Sequence, residues 1–276
     1  MIFKKILVIF LICRSLSAEI RTIQSLNEAL TEFDLLDNQA LVIFDVDETL
    51  IVAQDKIRRK ILNHDLNEFI KKSFDDLLVN DDHKERLESI RKLMTMRSLL
   101  EQSSPDIIKN LQARGIRVIA LSDLHVGKYG VIDNLEAWRF KQLSDLGIDL
   151  SIHNATDIVF KNLPLTRNHY PVMYKGIFLT AYSCSKGVAI KALIDELGLK
   201  PSRVLFLDDR MNHVKSVDME MAKWEIPCIA YHYRAFELLD NSVDIEIARL
   251  QYQYLMTHEI WLSDVDAKKR LGMVSF

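Results

Sequence analysis

Glycine and proline are scarce in this chain of 276 residues, at 8 and 5. Long disordered linkers draw on those residues, so none is expected. No internal repeat or low-complexity segment is evident. A basic excess is also missing, since 36 Lys and Arg stand against 39 Asp and Glu, for a net charge of −3. Phosphate backbones call for net basic surfaces, so no general nucleic-acid binding is expected. His64, His83 and His153 have no zinc-ligand spacing. The apolar run from Ile6 to Cys13 is too short to span a bilayer comfortably. What is present is ordinary for a globular protein: 49% hydrophobic and 27% charged residues, enough chain for one large domain with an insertion.

The first 18 residues read as a secretory signal peptide. Lys4 and Lys5 form a basic start, Ile6 to Cys13 an apolar run, and Ser15, Ser17 and Ala18 a small-residue stretch ending at a cleavage point. The other reading is an uncleaved, membrane-anchoring N-terminus. Removing residues 1–18 takes away three basic and no acidic residues, and moves the net charge from −3 to −6. Two cysteines remain, Cys184 and Cys228. An oxidising compartment permits a disulfide between them, but two free, packed thiols are the expectation.

The remaining residues, 19–276, are organised around Ala40 to Leu50, ALVIFDVDETL. A short run rich in aliphatic and aromatic residues reads as a strand covered on both faces, as in a parallel sheet. Its polar residues fall at its C-terminal end, where open α/β sheets bind ligands. Before it, residues 22–36 predict a helix with Ile23, Leu26, Leu30 and Phe33 on one face and Thr22 as N-cap. After it, approximately residues 55–101 hold charged helical sequence without Gly or Pro, read as a helical cap inserted after the first strand. Ile57, Ile61, Leu62 and Leu66 make one apolar stripe, and Leu87, Ile90, Leu93 and Met94 another. Pro105 starts a helix that Gly115 closes. Further strands are expected over 116–122, 148–152, 158–160, 172–180, 203–207 and 226–231. Helices are expected over 133–146 and 188–197, with more over 235–271 packed at the end of the domain. This alternation predicts an α/β fold with a doubly wound, mostly parallel, Rossmann-like sheet.

Asp45-x-Asp47-x-Thr49, then Ser122, then Lys186, then Asp208-Asp209 fall in order along the chain. These residues resemble the four motifs of the haloacid-dehalogenase-like superfamily of phosphohydrolases, over roughly residues 40–232. The DVDETL form is similar to that of the acid phosphatases within it. The exported start and the run EIWLSD resemble an uncharacterised family of bacterial members.

The resemblance implies a Mg²⁺-dependent phosphatase acting on a small phosphorylated substrate, a phosphomonoester, through an aspartyl-phosphate. Asp45 would be the nucleophile, and Asp47 the acid that protonates the leaving alcohol and then activates water. A dehalogenase has no need of such an acid. Mg²⁺ takes about six oxygens, and Asp45, the backbone carbonyl of Asp47 and Asp208 would supply some. Ser122 and Lys186 would bind phosphoryl oxygens. Thr49 would steady the turn, and Asp209 would hold a metal-bound water or orient Lys186. The location implied is exported, periplasmic or secreted from a bacterium, with no stable membrane span after signal cleavage. The oligomeric state is open.

Each residue has a plainer reading, because Asp or Ser at a strand end is often a helix cap and a lysine is ordinarily solvated. A catalytically silent phosphate- or partner-binding module, or a phosphotransferase, would use the same fold. Two features depart from the family pattern. No Gly follows Ser122-Asp123, and Asp123 is expected to turn away from a phosphate. LDDRMNHV lacks a third acid, although Asn212 could serve near a metal. Lys56, Arg58, Arg59 and Lys60 read as a solvated helix face paired with acids, or else as an attraction for an anionic substrate. His125, Arg167 and His169 could reach the rim of the site.

Overall fold

The computed structural model describes residues 19–59 and 81–273. The expected signal peptide, the stripe residues Ile61, Leu62 and Leu66, His64 and Lys60 lie outside them. The opening stretch forms β2 (Leu41–Phe44), buried along its whole length. It sits in an eight-stranded sheet of order β1-β10-β9-β2-β5-β8-β7-β6. The other members are β1 (Glu19–Ile23), β5 (Arg117–Ser122), β6 (Ile158–Val159), β7 (Val172–Tyr174), β8 (Ile177–Leu179), β9 (Val204–Asp208) and β10 (Cys228–Tyr233). All pairings from β1 across to β8 are parallel, while β7 and β6 extend the sheet antiparallel.

Side-chain alternation along the strands builds two cores. Val42, Phe44, Val118, Ala120, Leu205 and Leu207 face one side. They meet Phe33 of α1 (Leu30–Asp34), Ile108 and Leu111 of α3 (Ser104–Ala113), and Leu135 and Leu143 of α4 (Leu135–Ser144). Leu41, Ile43, Ile119, Leu121, Val204 and Phe206 face the other. There they meet Ile190 and Leu193 of α5 (Lys186–Glu196) and Val214 and Val217 of α6 (Met211–Lys223). Strands buried on both faces need this continuous apolar sequence, which is why ALVIF carries no polar residue. Cys184 and Cys228 are free thiols, as expected.

The first predicted helix begins later than its periodicity suggested. Residues 19–23 pair with β10 as an edge strand, and Ser25, not Thr22, forms a capping box with Glu28. Partnership with a neighbouring strand outweighs a short helical pattern here. Residues 148–152 are a loop rather than a strand. Ile148 and Leu150 are buried, but the Asn154 amide donates to the carbonyls of Val118 and Leu150, at 2.9 and 2.8 Å, and holds the segment irregular.

β3 (Ile51–Ala53) and β4 (Arg97–Leu99) form a two-stranded antiparallel ribbon. Between them runs α2 (Asp81–Met94). Leu87 and Ile90 are buried, whereas Leu93 and Met94 are exposed. Their partners come from the chain's far end. Ala248 and Leu255 of α7 (Ile245–His258) and Trp261 pack with Ile57, Leu87 and Ile90. The Trp261 indole donates to Asp55 at 2.8 Å, and the Asp264 amide, opening α8 (Asp264–Arg270), donates to Asp55 at 2.9 Å. The last helices therefore complete the inserted segment's apolar cluster, a role beyond the simple end-packing expected of them. Among the described residues, no helix is long and apolar enough to cross a membrane.

Lys175 and Gly176 turn the chain between β7 and β8, both at positive φ (46° and 82°), as a two-residue hairpin loop requires. A Cβ on Gly176 would lie 2.0 Å from the Leu150 carbonyl oxygen. Gly198, at φ 59°, has open space around it. Gly176→Ala is expected to lower stability by about 2 kcal/mol or more, and Gly198→Ala by about 1 kcal/mol. Urea unfolding midpoints read the difference, and equal losses would contradict the steric account.

Candidate active site

Register brings the polar strand ends together. Phe44 pairs with Ala120 on one side and Leu207 on the other. One residue further, the Asp45 amide donates to the Leu207 carbonyl at 2.8 Å, so Asp45 stands beside Asp208. Ser122 ends β5 on the neighbouring strand and is buried. Asp45, Asp208 and Asp209 each offer a carboxylate oxygen, all within 4.8 Å of one another, a group that could hold a metal ion.

Lys186 answers this charge. It opens α5, behind the Ser185 N-cap, and is 1% exposed. Its Nζ donates to Asp45 Oδ1, to Asp208 Oδ2 at 2.6 Å and to the Leu121 carbonyl at 3.2 Å. Burial alone would push the ammonium toward neutrality, but Asp208 and Asp45 outweigh it and raise its pKa. Burial raises the Asp45 carboxyl well above the usual 3.8, and Asp208 and Asp209 add to the rise against the pull of Lys186. Burial acts on Asp208 too, yet Lys186 and His213 hold it low. The carboxylates outnumber their ammonium, and a cation would relieve the excess.

Asp47 does not join that cluster. Its side chain, 40% exposed, pairs with Arg97 and Arg139, each at 2.7 Å. Burial works to raise its pKa, but the Arg139 and Arg97 guanidiniums prevail and hold the carboxyl well below the usual range. Between Asp45 and these arginines the chain turns tightly. Glu48 takes φ 66° and its amide donates to the Ile51 carbonyl at 2.7 Å, a left-handed bend in a non-glycine residue. The Thr49 hydroxyl is buried there with no hydrogen-bond partner among the described residues.

Asp123 accepts from the Thr180 hydroxyl and lies 3.4 Å from His213 Nε2. Asn212 is exposed on α6, and its neighbour His213 takes the inner position, with Nδ1 3.1 Å from Asp208. Asp209 stays with the carboxylates, while Asp45, Asp208 and the Leu121 carbonyl orient Lys186. His125 stacks on Tyr129, and Arg167 pairs with Glu85 across that same ring. Sequence reasoning missed His213, Arg97 and Arg139. His213 had a signal, lying five residues after Asp208 and within the first turn of the next helix. The two arginines had none, being 50 and 92 residues from Asp47 in the chain.

Lys186→Met strips two buried carboxylates of their cation and is expected to cost about 3–5 kcal/mol. Asp45→Asn relieves crowding and is expected to leave the protein, measured in chelator, equally stable or more so. A carboxyl whose folded pKa is raised binds extra protons in the folded state, so its contribution to stability grows as pH falls from that raised value toward 3.8. Denaturant unfolding in chelator across that range should show the gain in the natural protein and not in Asp45→Asn. A gain in both would refute the assignment.

Three relatives from Rickettsia species, each described as an uncharacterized protein, match most of the chain. A protein of Rickettsia felis is 25% identical over 87% of this chain and 86% of its own length. One from Rickettsia prowazekii is 24% identical over 86% and 85%, and one from Rickettsia conorii 26% over 84% and 83%. Residues 8–268, the whole sheet and site included, match the model of one family, and the chain belongs to it: the family described as Protein of unknown function (DUF2608).

Proposed function

We propose that this protein is an exported phosphoric monoester hydrolase of the haloacid-dehalogenase-like type, with Asp45 as nucleophile. The observation that carries the reading is the convergence of Asp45, Asp208, Asp209 and Lys186 at the C-terminal edge of adjacent parallel strands. The donors are all hard oxygens, a set suited to Mg²⁺, and Asp45 and Asp208 would hold it with the Asp47 carbonyl. Bound there, Mg²⁺ would neutralise charge on the phosphoryl group and on the carboxylates.

In the proposed reaction, an Asp45 carboxylate oxygen attacks phosphorus in line with the ester oxygen. The P–O ester bond breaks as the Asp45 O–P bond forms, and the leaving alkoxide takes a proton from Asp47. Water then attacks the phosphoryl group, giving its proton to Asp47, and Asp45 is restored. Lys186 lowers the charge that an incoming phosphate meets, and Ser122 supplies a hydroxyl from the neighbouring strand. The inserted segment is read as a cap, since its ribbon strand β4 carries Arg97 to Asp47. Export rests on the basic and apolar start, Lys4 to Cys13.

One observation favours a second reading, a silent phosphate-binding module. With Asp47 ionised and clamped by Arg97 and Arg139, proton donation requires those contacts to loosen when substrate arrives. Turnover of para-nitrophenyl phosphate and of an alkyl phosphate, with and without Mg²⁺, separates the two. Asp45→Asn should lose about a thousandfold or more on both esters. Asp47→Asn should lose about 10²–10⁴-fold on the alkyl ester and less on the aryl ester, whose leaving group needs little protonation. Metal-independent turnover unchanged in both variants would sink the phosphatase reading. Tight phosphate binding without turnover would favour the silent module.

A further inference from the structure

Around Asp47 the described residues gather four cations. Arg97 and Arg139, whose side chains are 9% and 2% exposed, grip its carboxylate. Arg58, from the short helical turn Lys56–Arg58, interacts electrostatically with Arg91, Arg97 and Asp47. Lys92 on α2 does so with Arg58, Asp47 and Arg139, and its Nζ lies 5.9 Å from the Tyr129 ring centre. The Nε–H groups of Arg58, Arg97 and Arg139 are buried and have no acceptor among the described residues. Arg58 and Lys92 have no carboxylate within ion-pair distance among those residues, and Asp47 is the one that Arg97 and Arg139 share. Burial and cationic neighbours push Arg58 down to about 9 and Lys92 to about 8. Like charges packed this closely repel, and the half-exposed Asp47, with Glu48 acting on Arg97, offsets only part of the repulsion.

The cluster is open to solvent where a ligand would arrive, at Asp47. Asp45, the proposed nucleophile, is two residues away. Guanidiniums held by packing present paired donors that match a carboxylate or phosphate, and burial strengthens those bonds. Asp47 occupies those donors in the free protein.

We infer that this basic cluster seats a second anionic group of the substrate, making the substrate class a phosphomonoester that also carries a carboxylate or a second phosphoryl group near the ester. The inference rests on the phosphatase reading for the role of the first phosphoryl group. The cluster's preference for an anion can be tested separately.

The test is calorimetric binding to full-length Asp45→Asn, which cannot form the covalent intermediate. The probes are 4-carboxyphenyl phosphate, its neutral counterpart 4-carbamoylphenyl phosphate, and benzene-1,4-diol bisphosphate. At least one doubly anionic probe should bind about tenfold or more tightly than the carbamoyl compound. Which one does so identifies the second anion. Adding Arg97→Gln or Lys92→Met should erase most of that preference, and Lys92→Met, which leaves both guanidinium partners of Asp47 in place, guards against misfolding of the first variant. Equal binding of all three probes, no binding of any, or a preference that survives both substitutions would overturn the inference. Hydrolysis by the natural protein is measured in parallel. Preferential binding without hydrolysis of any probe would count against the phosphatase reading and still support the anion seat.

Discussion

The buried ammonium of Lys186 is the contact on which the site depends. Two carboxylates on adjacent strands, Asp45 and Asp208, would repel each other in a medium that screens charge poorly. Lys186 bridges them and also reaches the Leu121 carbonyl of β5, so one side chain spans three strand ends. It comes from the first residue of α5, whose apolar face covers the same sheet. A shift of α5 would therefore expose both the core and the charges. Ion pairs this deep contribute little net stability, because desolvation offsets attraction. The hydrophobic faces hold the fold, and the fold holds together charges that would otherwise separate.

Much of this could be read from the residues in order. ALVIF, RVIALS and VLFLD are apolar because their strands are covered on both sides, and that requirement is written locally. The polar residues closing each run marked the edge where Asp45, Ser122 and Asp208 meet. Lys186 was legible by its place ahead of a clean helix. Other features were not local. β1 is a strand only because β10 accepts it as an edge partner, and no residue within 19–23 announces that partner. Arg58 lay in a basic run expected to be solvated. Lys56 and Arg59 do turn outward, toward Asp240 and Asn241, while Arg58 turns in. Helical spacing alone could not separate them.

The inserted segment and the C-terminal helices form one unit in packing, though they lie far apart in the chain. Leu87 and Ile90 make too narrow an apolar surface to hold α2 by themselves, and Leu255, Ala248 and Trp261 enlarge it. Asp55 fixes the junction by accepting from both the Trp261 indole and the Asp264 amide. Two residues before Asp55 the chain is still in β3, which pairs with the strand bearing Arg97. Contacts more than 200 residues apart in sequence thus govern where a guanidinium meets Asp47.

These connections give Asp45 and Asp47 opposite surroundings despite their two-residue separation. Asp45 faces like charges and one ammonium, and burial lifts its pKa. Asp47 faces guanidiniums and stays ionised. The left-handed turn at Glu48 follows directly after this pair, where the chain leaves the sheet for the ribbon. Had the strand continued straight, successive side chains would simply have alternated across the sheet, into the two cores. The bend instead carries Asp47 toward Arg97 of β4 and Arg139 of α4 while β2 keeps Asp45 against Asp208. A residue with φ above zero costs about 1 kcal/mol or more. That strain is sustained because the ladder to β5 and β9 pins one side of the turn and the β3–β4 ribbon pins the other. An alanine or glutamine at Glu48 would meet the same backbone constraint, so the turn's anchoring at both ends sets where the two carboxylates part.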